Sequence, residues 1–304
     1  MKLFDYYIFF AIFKCFLYQF CYFNFYDLYD MKAKGLVSRF PITSYFLLTY
    51  LISWTGAFLL VAHTLLRGGH IVKMQGILMF PIMLVGPVVS SVLLTYLKDG
   101  KNGLNDLFSR MGRRKAGLKW YAFAILLPPL AIFAVLSLLY KYVSPDFRPN
   151  FFVLGLAFGI SAGFFEEIGW TGYAFPSMNT RYSLLVSSIL LGILWGLWHL
   201  PVIDFLGAAS PHGHYLVPFF LVFCAAMTAM RVIICWVYSN TKSILIAQVM
   251  HASSTGFLAM LSPGHVSSAQ EVMWYGVYAL ILWGIVIVVA FGNYEYFTVF
   301  PARK

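Results

Sequence analysis

Two adjacent carboxylates, Glu166 and Glu167, lie in the otherwise apolar run GISAGFFEEIGWTGYAFP. A charged side chain in the hydrocarbon of a bilayer costs at least ~2.5–3.5 kcal/mol, so acids in such a run are expected to face a bundle interior or a wet cavity. Two histidines follow in separate apolar runs. His199 ends WGLWH, with Trp195 one helical turn earlier, and His251 opens HASST, with Thr255 one turn later. Residues four apart share a helix face. The bland alternative is a polar cluster that only pins helices together. Three separate runs carrying such groups favour chemistry.

The set is sufficient for hydrolysis. A desolvated carboxylate can act as general base on water. One histidine can hold that water or protonate the leaving amine, and a second, helped by a hydroxyl or amide, can donate to a developing oxyanion. The same groups could instead ligate a metal, because two histidines and a carboxylate with one open position make a catalytic zinc pattern. The spacing is not HExxH, and the ligands would come from different helices.

The elements that must position these residues are membrane spans. Of 304 residues, 61% are hydrophobic and 11% charged, with a mean hydropathy of +0.79. So few polar residues cannot cover a soluble core. The formal charge of +10 is concentrated between apolar runs, which fits anionic headgroups and topology rather than nucleic acid. Runs near 20 residues long span a bilayer. About eight such runs are present, near 45–66, 77–97, 120–142, 151–172, 184–204, 217–238, 243–261 and 272–292. The basic connection 98–119 is expected in the cytoplasm, which puts both termini there too; Arg67 and Lys73 are minor exceptions. The fold class read from this pattern is all-α, a polytopic transmembrane bundle with its active-site cavity between spans four, five and seven.

Four regions follow: an extension over 1–35, N-terminal spans over 36–148, a core over 149–262, and a last span with its tail over 263–304. Residues 1–30 lack a small-residue cleavage site, and Met31 reads as a natural start. Cys15, Cys21, Cys224 and Cys235 form no CxxC pair and read as apolar filler.

With these limits Glu166 lies near the inner side of its span and His199 near the outer end of the next, a gap on the order of 15 Å. Either the glutamate helix continues toward Pro176, or residues 172–184 re-enter the membrane. Other polar groups have simpler readings. His212 and His214 form a solvated outer loop rather than a weak metal site. Arg231 snorkels to headgroups, with a counter-ion role for the glutamates as the alternative. Gln248 hydrogen-bonds within the site, and Tyr and Trp near span ends form interfacial belts.

At EEIGWT, WGLWH and HASST the chain resembles the CPBP family of intramembrane proteases, named for CAAX proteases and bacteriocin-processing enzymes and also called Abi, whose pattern is EExxxR, FxxxH and HxxxN. The upstream stretches GPVVSSVLLTYLKDGKNGLNDLFSR and LKWYAFAILLPPL are also similar, so the resemblance covers roughly 36–262 and is strongest over 155–256. It implies Glu166 as the water-activating base, Glu167 as its partner, His199 as the group orienting water or substrate, and His251 in the oxyanion or water site. Trp195, Thr171 and Thr255 would support them.

The family has been described both as metal-dependent and as a glutamate type. The reading here is metal-free; a divalent metal such as zinc, if used, would take Glu166, His199 and His251. Two departures stand out. Thr171 occupies the place of the motif arginine, so Glu167 is expected to stay protonated or to borrow Arg181 or Arg231; Thr255 stands where asparagine is common. The expected function is intramembrane CAAX-type endopeptidase in the plasma membrane of a prokaryote. Its partners would be lipid and a membrane-associated, prenylated or leader peptide or a membrane protein, not nucleic acid. An inactive immunity or regulatory protein of the same fold is the alternative that Thr171 favours. A proton-relay transporter is disfavoured by the lack of an internal repeat.

Overall fold

The computed structural model describes residues 33–206 and 212–298. The proposed extension, with Cys15 and Cys21, falls almost wholly outside them. The described chain is all-α: α1 (Ala33–Arg39), α2 (Pro41–Leu66), α3 (Lys73–Met111), α4 (Leu118–Tyr142), α5 (Gly155–Gly169), α6 (Phe175–Asn179), α7 (Leu184–Trp198), α8 (Leu200–Leu206), α9 (Leu216–Thr241), α10 (Ile244–Leu261), α11 (Ser268–Gly292) and α12 (Tyr294–Thr298). Among the described residues, six helices (α2, α3, α4, α9, α10 and α11) are long and apolar enough to cross a membrane, and α7 is a shorter apolar helix. Large apolar side chains point outward, as at Leu59 (67% exposed), Leu280 (73%) and Val288 (72%). Water would not tolerate such faces along several helices, whereas lipid favours them.

The connection expected at 98–119 is helical through Met111, with a kink at Gly100 (φ 64°). The glutamate helix takes the first of its two expected courses. α5 runs directly into a π turn, Trp170–Ala174, and then α6, so helical backbone continues past Pro176.

One proline in each of α3 and α4 frees a carbonyl for an interhelical tie. Pro87 and Pro129 lack the N–H that would reach the carbonyl four residues back. Those carbonyls, of Met83 and Ile125, accept instead from Ser53 Oγ of α2 at 2.7 Å and Ser253 Oγ of α10 at 2.8 Å. An unpaired carbonyl in hydrocarbon costs several kcal/mol, so each serine also fixes how its helix packs.

Small residues set the closest packing. Gly155, Gly159 and Gly163 recur every four residues on α5 and face α10. A Cβ at Gly159 would stand 2.3 Å from the Gly256 nitrogen, and one at Gly163 would stand 2.4 Å from the Gln248 carbonyl. Backbones this close are the small-xxx-small arrangement of membrane helices. The next position on that stripe is Glu167. Gln248, expected in the site, donates to the Phe164 carbonyl at 2.8 Å and so ties α10 to α5 instead. On α7, Gly192 plays the same part toward α9, where a Cβ would meet Thr228 Cα at 2.7 Å.

Two surface readings change. His212 is buried, stacks on Phe219 with ring centroids 4.0 Å apart, and pairs with Glu271 at 3.0 Å, so it joins α9 to α11 rather than lying in a solvated loop. His214 is exposed. Cys235 is buried and Cys224 half-buried, both free thiols.

Replacing Gly159 with alanine forces α5 and α10 apart. We expect unfolding in detergent micelles to become easier by about 1–3 kcal/mol, read as a lower thermal midpoint. Gly284→Ala, where a Cβ meets nothing within 4 Å, leaves the midpoint unchanged.

Candidate active site

Glu166 and Glu167 are neighbours on α5 and therefore point about 100° apart around the helix. Glu167, on the glycine stripe, faces α10; Glu166 faces α7. Both are buried.

Glu167 is the more heavily bonded. Its Oε1 is 2.7 Å from His251 Nδ1 on α10, and its Oε2 is 2.8 Å from Arg231 Nη1 on α9. Thr171 Oγ1, one turn along, also donates to Oε2. A carboxylate can only accept these bonds, so His251 carries a hydrogen on Nδ1.

Glu166 has no cation beside it. Its Oε2 accepts from two indoles, Trp195 Nε1 at 2.7 Å and Trp170 Nε1 at 3.0 Å. Its Oε1 has no hydrogen bond among the described residues. His199 is half-buried at the end of α7 and donates Nδ1–H to the Trp195 carbonyl at 2.8 Å, which leaves its Nε2 as an acceptor.

Trp195 is the common wall. Its ring lies 5.3 Å from that of His199 and 5.0 Å from that of His251, both edge-on, and the Arg231 guanidinium sits 4.1 Å over its face. The structure thus gathers Glu166, His199 and His251 around the indole of the supporting Trp195. Thr171 is placed on Glu167, and Thr255 is half-buried one turn beyond His251.

Three sequence readings are corrected. Arg231 does not snorkel; it is fully buried against Glu167, the counter-ion role held as the alternative. Arg181 is exposed and donates to the Arg39 carbonyl, away from the glutamates. Trp170 and Trp198 are interior walls rather than part of an interfacial belt, Trp170 packing between Phe46, Tyr45 and Trp198.

Sequence reading missed Trp170 as a ligand of Glu166, although the four-residue spacing was available. It also missed Arg110. In the π turn the Phe175 N–H reaches back five residues to Trp170. Arg110, beyond the Gly100 kink, donates to the Gly172 carbonyl in that turn at 3.0 Å and to Tyr238 Oη of α9 at 2.8 Å. π turns recur at functional sites, and this one carries Trp170 and Thr171 directly behind the acid pair.

Among the described residues no three His, Cys, Asp or Glu side chains group closely enough to hold a metal ion. As arranged, Glu166, His199 and His251 do not form the ligand set a divalent ion such as zinc requires.

An apolar groove of about 570 Å³ runs between α3 and α5, lined by Pro81, Leu84, Val88, Ala157, Phe158 and Phe165 among others. It ends one residue short of the acid pair in sequence.

Residues 148–257 match the family described as type II CAAX prenyl endopeptidase, Rce1-like. The chain is also 32% identical over 228 residues to CAAX prenyl protease 2 of Methanococcus maripaludis, a match covering 68% of this chain and 79% of that relative.

Trp195→Phe keeps the ring beneath Arg231 and removes one donor from a buried carboxylate. Hydrogen bonds to charged groups contribute about 1.5–3 kcal/mol. A stability loss of that size is expected in denaturation of the purified protein, while Trp236→Phe, which removes an indole N–H with no bond, costs less.

Proposed function

The chain belongs to the Rce1-like type II CAAX prenyl endopeptidase family and is a protease, and we propose that it hydrolyses a peptide bond of a membrane-associated, prenylated substrate with water activated by Glu166. The observation that carries this reading is the asymmetry of Glu166: one oxygen is fixed by two indoles, the other has no hydrogen bond among the described residues, and the rings of His199 and His251 both pack on Trp195, one of those indoles.

In this mechanism Glu166 Oε1 takes a proton from water while the water oxygen bonds to the scissile carbonyl carbon. His199 Nε2 accepts the second water hydrogen and aims the lone pair. The tetrahedral intermediate collapses as the C–N bond breaks, and the proton held by Glu166 passes to the leaving amine. His251, fixed by Glu167, lines the same pocket and faces the water or, once protonated on Nε2, the oxyanion. Positioned general bases contribute about 10²–10⁴-fold.

The groove between α3 and α5 supports a lipidated substrate, because an isoprenoid laid there stays in an apolar surround. The inactive-protein reading rested on Thr171, and Arg231 supplies Glu167 with the cation that Thr171 lacks.

We further assign the protease core to 149–262 and place the protein in a prokaryotic plasma membrane with both termini cytoplasmic. Eight crossings are assigned, the fourth being Gly155–Asn179 and the fifth α7–α8. The active-site cavity is assigned between the fourth, fifth and seventh crossings, and the sixth, α9, meets the fourth and fifth through Arg231.

Cleavage of farnesylated and unmodified C-terminal peptides in proteoliposomes tests the reading. Glu166→Gln is expected to lower kcat by about 10²–10⁴-fold with normal insertion, His251→Ala comparably, and the unmodified peptide to be cut far less well. Full activity of Glu166→Gln would refute the assignment.

A further inference from the structure

Arg231 is used by no step of the reaction above, yet it touches both halves of the site. It lies in a stretch of α9, Ala226–Cys235, that is buried throughout. Gly192 of α7 admits it, since a Cβ there would stand 3.2 Å from Arg231 Cβ. The guanidinium therefore reaches Glu167 through Nη1 while covering the face of Trp195. Its Nε and Nη2 have no hydrogen-bond partner among the described residues. Charge and stacking place it, not a two-pronged fork.

We propose that Arg231 is a positioning residue for the hydrolysis. Through Glu167 it fixes the ring of His251, and through Trp195 it fixes the indole that holds Glu166. This rests on the endopeptidase reading for its kinetic consequence and not for its geometry. Thr171 donates to the same Glu167 oxygen from the π turn that continues α5, and helix geometry lets a longer cationic side chain at that position reach it. The cation is thus transferable from α9 to α5.

The test compares the parent, Arg231→Met and the double variant Thr171→Arg/Arg231→Met in nanodiscs. One readout is cleavage of a farnesylated peptide. The other is ¹⁵N NMR of labelled histidine, with the His251 signal assigned by its loss in His251→Gln. Arg231→Met is expected to lower kcat about 10²-fold with KM little changed, and to move the His251 Nδ1–H signal. The double variant restores that signal and at least about tenfold in kcat. A helix-gluing role would lower stability without this split or rescue.

Unchanged kcat and His251 signal in Arg231→Met overturn the proposal, as does a folded double variant that restores neither. If a variant fails to insert, Arg231→Lys decides. This variant keeps the charge and loses planar stacking, so a parent-like signal with lowered kcat supports positioning, and no change in either overturns it. A parent inert toward the peptide would sink the endopeptidase reading, and the histidine signal would still decide the role of Arg231.

Discussion

A carboxylate with no exposed surface cannot keep its charge unless the protein replaces its hydration, and Glu167 is such a group. Its two oxygens receive donors from its own helix, from α9 and from α10. The contact that satisfies the charge is therefore also the joint of three helices. Removing one partner of a buried ion pair costs about 3–5 kcal/mol, because the other charge is stranded. The glycines follow from this requirement. Without Gly155, Gly159 and Gly163 the α10 backbone could not approach closely enough for His251 to reach Glu167, and Gly192 does the same for α9 and Arg231.

The neighbouring carboxylate is treated differently, and the difference divides the labour. Neutral indole donors hold one oxygen of Glu166 in place, whereas a guanidinium compensates Glu167 directly. Two identical side chains one residue apart thus sit in unlike surroundings, one anchored on a cation and the other held only by neutral donors. Trp195 links them, since its N–H serves Glu166 while its face carries the cation that serves Glu167.

What the sequence made legible was local. The acid pair, the two histidines and Trp195 could be recognised by spacing along single helices, and the apolar runs marked the helices that carry them. The joins between helices were harder to see. Gly155, Gly159, Gly163 and Glu167 form one four-residue series whose meaning depends on α10 lying against it. Arg231 in isolation is an arginine in an apolar helix, for which escape to headgroups is the ordinary expectation; only the position of Gly192 shows that it faces inward. His212 misled for the same reason, because Phe219 and Glu271, which bury it, are distant or uninformative in sequence. The proline carbonyls paired by Ser53 and Ser253 belong to this class as well.

Thr171 sharpens the point. Along α5 alone, a threonine where a cation is expected looks like a lost function. In three dimensions the requirement is a positive charge within reach of Glu167, which a neighbouring helix can supply as well as its own. Here the hydroxyl remains in the local position and the charge comes from α9. The substitution trades a contact encoded within one helix for one that exists only when α7, α9 and α5 are packed. A misassembled chain would therefore leave Glu167 without its cation.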